Sequence, residues 1–444
     1  MTKFNSIDNS IISSSGVKGQ KILIITYYWP PAGGPGVQRW LKFVKYLPDF
    51  GIQPVVYIPD NPTYPILDAN LEKEVAESAI ILRNKIFEPY QLASIFSKNK
   101  TKKISSGIIP NPKKQSLLDA LFLWIRGNLF IPDARVFWVK PSVAYLEKYI
   151  KENGIDTIIT SGPPHSLHLI GLALQKRLKV NWLADFRDPW TTIGYHKSLR
   201  LSRYAAKKHK KLEHQVLNAA DTIIVTSKTT KTEFQALTQK PIAVITNGFD
   251  NEDVAKQTLD TKFSLAHIGS LLSERNPLIL WESLVELISE IPDFKNHLEI
   301  KLIGAVSQEV LDTITRYHLN AYLHNLGYVS HQEAVAHQRK SQVLLLIEIN
   351  SEETKSIIPG KLFEYMVSGR PIVAIGPKSS DFAEIITSTN TGVFFEYDKK
   401  AALKATILAY YQLFLQEKLQ SNAIGLQKYS RKELTKELTK LICT

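Results

Sequence analysis

The stretch IPGKLFEYMVSGRPI, which runs from Ile358 to Ile372, organises the rest of the sequence. The apolar run Gln342–Ile347 precedes it and has the length of a buried strand, and a second such run, Pro371–Ile375, closes it. Between the two runs the sequence predicts a short helix. Gly360 follows a proline at its start, where a missing N–H costs little, and Gly369 lies where a helix commonly stops.

Two charged residues of this stretch indicate a ligand. The start of the helix would lie at the carboxyl edge of a parallel sheet, where open α/β sheets bind ligands and where free N–H groups favour an anion. Lys361 would stand in the first turn, where a cation is unfavourable unless a phosphate lies in front of it. Glu364 follows on roughly the same face, and its carboxylate would accept hydrogen bonds from sugar hydroxyls. The alternative is a solvated pair of charges on a surface helix.

A glycine-rich turn follows the first predicted strand, Lys21–Thr26. Apolar residues then recur at helical spacing from Val37 to Leu47. Gly34 and Gly36 in the turn would let the backbone approach a ligand closely, although a tight strand-to-helix turn explains them as well. The G-x-G-x-x-G spacing of dinucleotide-binding turns is absent from the sequence.

Polar residues follow two further predicted strands. His165 comes after the strand Asp156–Thr160 and begins a helix, where the helix terminus lowers the pKa of an imidazole and favours its neutral form. A structural histidine is the alternative. Asp185, Arg187 and Asp188 crowd the end of the next strand. They form either a salt-bridged corner or a site where carboxylates accept hydroxyl groups of a polyhydroxyl acceptor.

The alternation of strands and helices runs twice through a chain that is too long for one ordinary core. The predicted fold class is therefore α/β, with two Rossmann-like, doubly wound domains facing each other across a cleft. We expect a disordered tail at 1–20, one domain at 21–247, a second at 248–420 and a final segment at 421–444. A helical pattern extends from Lys399 to Lys440, and its last part is expected to pack back on the first domain.

The charge of the chain favours an anionic partner. Its 444 residues carry a formal net charge of +13 at pH 7, which suits a nucleotide sugar or anionic lipid headgroups. No zinc-finger or RNA-binding signature accompanies the charge, so nucleic acid is not expected. Lysines cluster from Lys98 to Lys114, in a stretch that reads as a mobile loop, and basic residues cluster again from Lys197 to Lys211. Ordinary solvated faces are the alternative.

The sequence favours a cytoplasmic protein. Its single cysteine, Cys443, fits a reducing compartment, and the polar first residues lack a secretory signal. The most apolar segment, Leu117–Pro132, is too short for a membrane span and is interrupted by charges. It predicts either an amphipathic helix at a membrane interface or a helix packed on its own domain.

The segment PGKLFEYMVSGRPI resembles the donor-binding segment of GT-B glycosyltransferases of the retaining group 1, or family 4, type. The Asp185–Trp190 segment resembles a motif of a bacterial subgroup of these enzymes, and Asn247–Asp250 resembles their interdomain link. The resemblance covers nearly the whole chain from Lys21. Two positions depart from the family pattern: Ser356 stands where a second glutamate is common, and Ser270 where an arginine is common.

The resemblance implies a site for a nucleotide diphosphate sugar. The C-terminal domain would hold this donor and the N-terminal domain the acceptor. The expected catalytic residues are His165 at the transferred sugar, and Arg275 and Lys361 at the diphosphate. The expected donor-binding residues are Gly34 and Gly36 at the mouth of the cleft, Gly269 at the diphosphate, Gly304 and Tyr328 at the base and ribose, Gly360 at the helix start and Glu364 at the ribose hydroxyls.

The resemblance also implies the reaction, a retaining transfer of a sugar to a hydroxyl acceptor. Because Arg275, Lys361 and the helix start would balance the leaving diphosphate, and no Asp-x-Asp motif is present, neither a metal nor a further cofactor is expected. The expected acceptor is a lipid-linked or cell-surface glycan precursor of polysaccharide biosynthesis. The protein would then be peripheral at the inner face of the plasma membrane. A nucleotide-sugar 2-epimerase and a non-catalytic binder of sugar nucleotides are the alternatives.

Overall fold

The computed structural model describes residues 19–89, 117–197, 199–250 and 257–443. Within these ranges the chain forms two separate parallel sheets that alternate with helices. The α/β fold class with two Rossmann-like, doubly wound halves is thereby confirmed. The lysine-rich stretch from Lys98 to Lys114 lies outside the described residues, so the prediction made for it stays a prediction.

The first sheet has seven parallel strands among the described residues, in the order β3-β2-β1-β4-β5-β6-β7. The strands are β1 Gln20–Ile25, β2 Ile52–Pro59, β3 Ile80–Asn84, β4 Thr157–Gly162, β5 Asn181–Phe186, β6 Thr222–Val225 and β7 Ile242–Val244. The helices are α1 Pro35–Tyr46, α2 Leu117–Asn128, α3 Val136–Asn153, α4 Ser166–Leu178, α5 Gly194–Lys197, α6 Arg203–Ala219 and α7 Lys228–Gln235.

The second sheet, in the part of the C-terminal half that the structure describes, has six parallel strands in the order β10-β9-β8-β11-β12-β13. The strands are β8 Phe263–Ile268, β9 Leu298–Ile303, β10 Leu323–Gly327, β11 Val343–Ile347, β12 Ile372–Gly376 and β13 Gly392–Glu396. The helices are α8 Leu278–Glu290, α9 Phe294–His297, α10 Gln308–Arg316, α11 His331–Lys340, α12 Lys361–Met366, α13 Asp381–Thr389, α14 Lys400–Leu415 and α15 Arg431–Ile442.

Each sheet contains one point where the winding of the chain reverses. In the first sheet it lies between β1 and β4, and in the second between β8 and β11. The connections that leave such a pair of strands go to opposite faces, which opens a crevice at their carboxyl ends where ligands bind. His165 follows β4, and Gly269 and Glu348 follow β8 and β11. His165 and Gly269, two of the residues expected at the site, therefore lie at these two crevices.

Both faces of each sheet are buried, as parallel sheets require. Alternate residues of β1 show this: Leu23 and Ile25 belong to one core and Ile22 and Ile24 to the core on the other face, and all four are fully buried. In the second sheet Leu362 and Phe363 of α12 pack into one of the two cores. The packing of α12 fixes where the charged residues of the same helix point.

The helix predicted from Lys399 to Lys440 is wrong as one continuous element. The structure has two helices, α14 and α15, separated by residues 416–430. Gly425 has φ 62° in this connection, and the backbone N–H of Ser421 donates to the Gly369 carbonyl. The hydroxyl of Ser430 then accepts from the N–H of Glu433 and starts α15 afresh, as an N-cap does.

The last helix packs on the first half of the chain. Leu434, Leu438 and Ile442 of α15 are buried in the core that contains Trp40 of α1. Arg431 at its start pairs with Asp250 at 3.2 Å, next to the segment that links the two halves. The chain therefore passes between the halves twice, once near Asp250 and once before Arg431.

A buried network joins α1 to the end of β5. Asp185 accepts hydrogen bonds from Arg39 at 2.8 and 3.2 Å, from the Trp40 indole at 2.8 Å and from the Ser161 hydroxyl at 2.9 Å. Burial raises the pKa of Asp185, but the Arg39 guanidinium and these hydrogen bonds outweigh it, so the pKa lies below its ordinary value. The network holds α1, and with it the glycine-rich turn, at the carboxyl edge of the sheet.

We expect Asp185→Ala to lower the free energy of unfolding by about 3–5 kcal/mol, because it leaves the Arg39 charge buried and unpaired. Because the pKa of Asp185 is lowered in the folded chain, this contribution is present above about pH 4 and is lost as the pH falls below that value. Urea denaturation measures the effect. Glu152→Gln, which removes an exposed carboxylate, serves as the control and should change little. Equal losses in the two variants would contradict the role given to Asp185.

Candidate active site

A cavity of about 350 Å³ lies between the two halves. Its volume is at the lower end of the range for small-molecule sites. The N-terminal half contributes the glycine-rich turn and α1, and the C-terminal half contributes the loop after β10 and the start of α12. The expected site residues that line it are Gly34, Tyr328, Gly360, Lys361 and Glu364.

The Glu364 carboxylate is held in a fixed position at this cavity. Gln338 of α11 donates a hydrogen bond of 2.8 Å to one of its oxygens. Tyr328, at the same cavity, is 88% exposed. A fixed carboxylate can accept hydrogen bonds from neighbouring hydroxyl groups, while an exposed aromatic ring can cover a planar group. The two residues expected at the ribose and at the base therefore face one space.

The Lys361 ammonium points back to the end of β8. Its Nζ donates to the Ile268 carbonyl at 3.0 Å and lies 3.2 Å from Nε2 of His267. Burial, with a smaller effect of the Arg275 charge, lowers the pKa of Lys361 to about 7. No ion pair joins Lys361 to a carboxylate within the ranges that the structure describes. An ammonium that is desolvated and unpaired in this way can bind an anion.

Two glycines make room beside this ammonium. Gly269 after β8 and Gly304 after β9 have φ angles of 113° and 122°, which favour glycine. A Cβ on Gly304 would lie 2.6 Å from the Gly269 carbonyl oxygen, so a larger residue would push the two loops apart. A Cβ on Gly269 would lie 3.4 Å from Nζ of Lys361. Neither glycine lines the large cavity, but Gly269 borders the ammonium that does.

Arg275 is held in an ion pair with Glu348. Its Nη2 donates to both carboxylate oxygens at 2.9 and 3.2 Å, and its Nε donates to one of them at 3.1 Å. The carboxylate is 2% exposed and also accepts from the N–H of Ile349 at 2.8 Å. Arg275 therefore lies at the crevice of the second sheet with its charge already balanced, and it does not line the large cavity.

Sequence reasoning missed Glu348, because it opens a polar loop and looks like part of it. The signal that could have identified it is its position directly after the buried strand β11. A carboxylate at the carboxyl end of such a strand, next to the reversal point of the sheet, lies at the ligand crevice by topology alone.

His165 lies at the start of α4 but lines neither of the two pockets between the halves. Its ring is 5% exposed and stacks on Trp190, with the ring centroids 4.9 Å apart. Within the described part of the chain, neither of its ring nitrogens has a hydrogen-bond partner. Burial, followed by the charges of His168 and Arg187, holds its pKa well below the usual value. The expected direction is right, but burial rather than the helix terminus is the main cause.

The structure separates the three charged residues after β5. Asp185 belongs to the buried network with Arg39. Arg187 donates to the Pro163 carbonyl, and its guanidinium lies 5.5 Å from the centre of the Tyr28 ring. Asp188 lines a second pocket, of about 130 Å³. Asp185 therefore forms a structural ion pair, whereas Asp188 lies at a pocket where it can contact a ligand.

This second pocket also lies between the halves. Thr226 and Asn247 line it from the N-terminal side and Ser356 and Ile358 from the C-terminal side. Asn247 lines the large cavity too, so the two spaces adjoin. Burial raises the pKa of the Asp188 carboxyl, against the opposing charge of Arg187. A carboxylate with a raised pKa can accept a hydrogen bond, or a proton, from a hydroxyl group.

The expected residue Gly36, and Ser356 at a position that departs from the family pattern, both lie at this smaller pocket. Gly36 lines it and packs against the Arg187 guanidinium, so a side chain at this position would displace the arginine. Ser356, which stands where a second glutamate is common, lines the same pocket and not the large cavity.

Comparisons with known families match both halves of the chain. The model described as Glycosyltransferase Family 4 matches residues 109–253, and the model described as Glycosyl transferases group 1 matches residues 262–412. Together they cover more than half of the chain. The chain belongs to the group 1 glycosyltransferases. A comparison with curated protein sequences found no match.

Solved structures share the fold of this glycosyltransferase. Sucrose-phosphate synthase from Thermosynechococcus elongatus has a TM-score of 0.58 at 13% identity and covers 96% of this chain and 98% of its own. A mutant of TarM from S. aureus, in complex with UDP, fondaparinux and α-GlcNAc-glycerol, has a TM-score of 0.56 at 14% identity, with coverage of 96% and 100%. A putative UDP-N-acetylglucosamine 2-epimerase from Listeria monocytogenes has a TM-score of 0.52 at 12% identity, with coverage of 96% and 96%. At these identities the likeness concerns the fold alone.

We expect this glycosyltransferase to bind inorganic pyrophosphate less tightly as the pH rises above 7, because Lys361 loses its proton there. Above that pKa the affinity should fall by up to about tenfold per pH unit, as expected for one required proton. Calorimetric titrations from pH 6 to pH 9 measure the effect. Lys361→Gln should bind pyrophosphate weakly and should not show this fall in affinity above pH 7. Pyrophosphate itself also changes its ionisation over this range, and subtracting the profile of the variant from that of the wild type corrects for this effect. Parallel profiles would exclude Lys361 as the titrating group.

Proposed function

We propose that the chain transfers a sugar from a nucleotide diphosphate sugar to a hydroxyl group of an acceptor, with retention of the anomeric configuration. The observation that carries this proposal is the cavity in which Glu364 and Lys361 lie side by side. A nucleoside would fill the cavity, its ribose hydroxyls would donate to Glu364, and its diphosphate would lie on Lys361. The UDP bound in the TarM complex supports a nucleotide donor. Retention is inferred from the family resemblance.

The leaving diphosphate gains negative charge in the transition state of such a transfer. Lys361 would stabilise it from a fixed position beside the loop after β8. Arg275 would exchange part of its pairing with Glu348 for contacts to the phosphate. Its forked guanidinium can donate to two phosphate oxygens at once. The proposal therefore uses two cations of the chain and requires neither a metal ion nor a further cofactor.

The acceptor would enter the smaller pocket beside Asp188. This carboxylate would orient the attacking hydroxyl group toward the face of the sugar from which the diphosphate departs, as retention requires, and its raised pKa would help it to take up the proton. His165 would contact the transferred sugar as a neutral imidazole, since burial keeps its pKa low and both ring nitrogens are unpartnered among the described residues. Because the ring is buried behind Trp190, this contact requires a local movement.

We infer that the acceptor is a lipid-linked or cell-surface glycan precursor of polysaccharide biosynthesis. The net charge of +13 favours an anionic membrane surface, and the protein would be peripheral at the inner face of the plasma membrane. Within the described ranges, the helices are too short or too polar to cross a bilayer.

A nucleotide-sugar 2-epimerase is the second candidate, and the fold likeness to the Listeria protein favours it. The pocket beside Asp188 favours transfer, because an epimerase needs no acceptor. Product analysis separates the candidates. A transferase releases nucleotide diphosphate only when an acceptor is present, an epimerase changes the sugar, and a non-catalytic binder does neither.

We expect one of the nucleotides UDP, GDP, ADP, dTDP and CMP to raise the melting temperature of the wild-type protein. Binding to the native state stabilises it by about 2.7 kcal/mol at roughly 100 times the dissociation constant. Glu364→Ala should lose this shift, whereas Glu152→Ala, which changes an exposed glutamate of α3 that does not line the cavity, should keep it. A thermal-shift assay measures all three proteins. No shift with any nucleotide would refute a donor site in this cavity.

We expect Asp188→Asn to lower kcat/KM for the acceptor by roughly 100-fold, because an amide is a poor proton acceptor. Release of nucleotide diphosphate is measured with the donor found by the thermal-shift assay and with a panel of methyl glycosides as acceptors. The affinity for the nucleotide should stay unchanged, and Asp60→Asn, at an exposed position, should behave as wild type. Unchanged transfer by Asp188→Asn, or loss of its nucleotide binding, would contradict the acceptor role.

A further inference from the structure

The outward face of α2 is apolar. Leu121, Phe122 and Trp124 are 51%, 42% and 42% exposed, whereas Leu123 is buried. Gly127, one turn further on, is packed against Leu199 and Leu201. A surface helix of a globular protein normally turns its polar side to water. One side of α2 packs on the rest of the protein, and the other side exposes large apolar side chains to solvent.

Further large apolar side chains are exposed directly after α2 and in residues that pack against those. Leu129 is 63% exposed, and Phe137 and Phe87 are 48% and 55% exposed. The Phe137 ring lies 5.8 Å from that of Phe87 and 5.9 Å from that of Phe130, centre to centre, so the three rings form one cluster. Single exposed apolar residues are common, but a connected group of this kind marks a contact surface.

Cations border the apolar surface. The Asn128 side chain at the end of α2 accepts from the N–H of Ser202 at 2.7 Å and donates to the Arg200 carbonyl at 3.3 Å, which fixes the start of α6 beside it. The basic side chains that α6 exposes are Arg203, Lys207, Lys208, Lys210 and Lys211. The one acidic residue of α6, Glu213, is buried and bonded to Thr191. The basic residues are therefore the source of all the exposed charge on α6.

The loop that carries Leu129 is anchored at the site. Asp133 in the same loop accepts from the N–H of Ser166 at 2.9 Å and from its hydroxyl at 2.5 Å, at the first residue of α4. That helix begins at the carboxyl end of β4, the edge where the first sheet has its crevice. The apolar surface is thus connected by a short, fixed loop to the side of the molecule that faces the cleft.

We propose that this surface, formed by α2, the Phe87–Phe130–Phe137 cluster and the start of α6, docks on an anionic lipid bilayer. Exposed Trp and Phe side chains suit the headgroup region, and the lysines of α6 suit anionic lipids. A second copy of the chain fits less well, because a two-fold interface would bring the cationic start of α6 close to its own copy. The docking itself does not depend on the proposed function. Only its purpose does, which is to bring a lipid-linked acceptor to the cleft.

Sedimentation with vesicles tests the docking. One set contains phosphatidylglycerol mixed with phosphatidylcholine, and the other contains phosphatidylcholine alone. The full chain should bind the first set, and added salt should weaken this binding. Replacing Lys207, Lys208 and Lys211 by glutamine should lower the affinity by roughly 100-fold, since each lysine near the surface contributes about fivefold. Replacing Phe122, Trp124 and Leu129 by serine should also abolish most of the binding.

The matched control replaces Leu415 and Ile424 by serine. These residues are exposed to 53% and 60% in the C-terminal half, away from α2, and their replacement should leave vesicle binding unchanged. All the replaced side chains are exposed, so the melting temperatures should stay close to that of the wild type.

Three results would overturn the docking surface: no binding of the wild type to phosphatidylglycerol vesicles, equal binding by the serine variant of α2, or a lipid-free dimer that this variant abolishes. The nucleotide thermal-shift assay is run on the same proteins. A nucleotide shift without vesicle binding refutes the docking alone, and vesicle binding without any nucleotide shift refutes the donor site alone.

Discussion

The candidate site depends on one ammonium group that the fold desolvates and that has no carboxylate partner among the residues the structure describes. Lys361 can occupy this position because α12 is locked into the core through Leu362 and Phe363 and because Gly269 leaves space for its Nζ. A desolvated charge of this kind is unfavourable in the free protein and becomes favourable only when an anion arrives. The neighbouring cation, Arg275, is already neutralised by Glu348, so Lys361 supplies most of the attraction for the first contact with an anion.

The fold was largely predictable because its sequence signals are local. Apolar runs such as Val343–Ile347 have no polar residue to set a helical period, and the glycines and prolines between runs mark their ends. The failure at 416–430 has a physical reason as well. The residues directly after Leu415 are helix formers, but Glu417 takes a left-handed backbone with φ 55° and the Lys418 N–H bonds back to the Leu413 carbonyl, which ends α14. Backbone hydrogen bonds from Ser421 and Ile424 to Gly369 and Thr389, far away in the sequence, then hold the connection in place. Tertiary contacts of this kind leave no periodic pattern in the sequence.

The site was predictable to the extent that topology alone places residues. Gly34, Tyr328, Gly360 and Glu364 meet at one cavity because each follows a strand at the carboxyl edge of a sheet. Pairing and burial were not predictable. The spacing of residues gives no indication that Arg275 reaches Glu348 across 73 positions, that His165 is covered by Trp190, or that Asp185 turns inward while Asp188 turns to the cleft. Such distinctions depend on side-chain directions that only the packed structure determines.

The position of the last helix bears on how the chain folds during synthesis. The core around Trp40 includes Leu434, Leu438 and Ile442, so the half of the protein made first stays incomplete until the half made second has been translated. Domains usually fold in the order in which they leave the ribosome. Here the C-terminal half can close its own core while the N-terminal half still has an open apolar groove beside α1. The apolar side chains of that groove stay exposed to water until α15 docks against them.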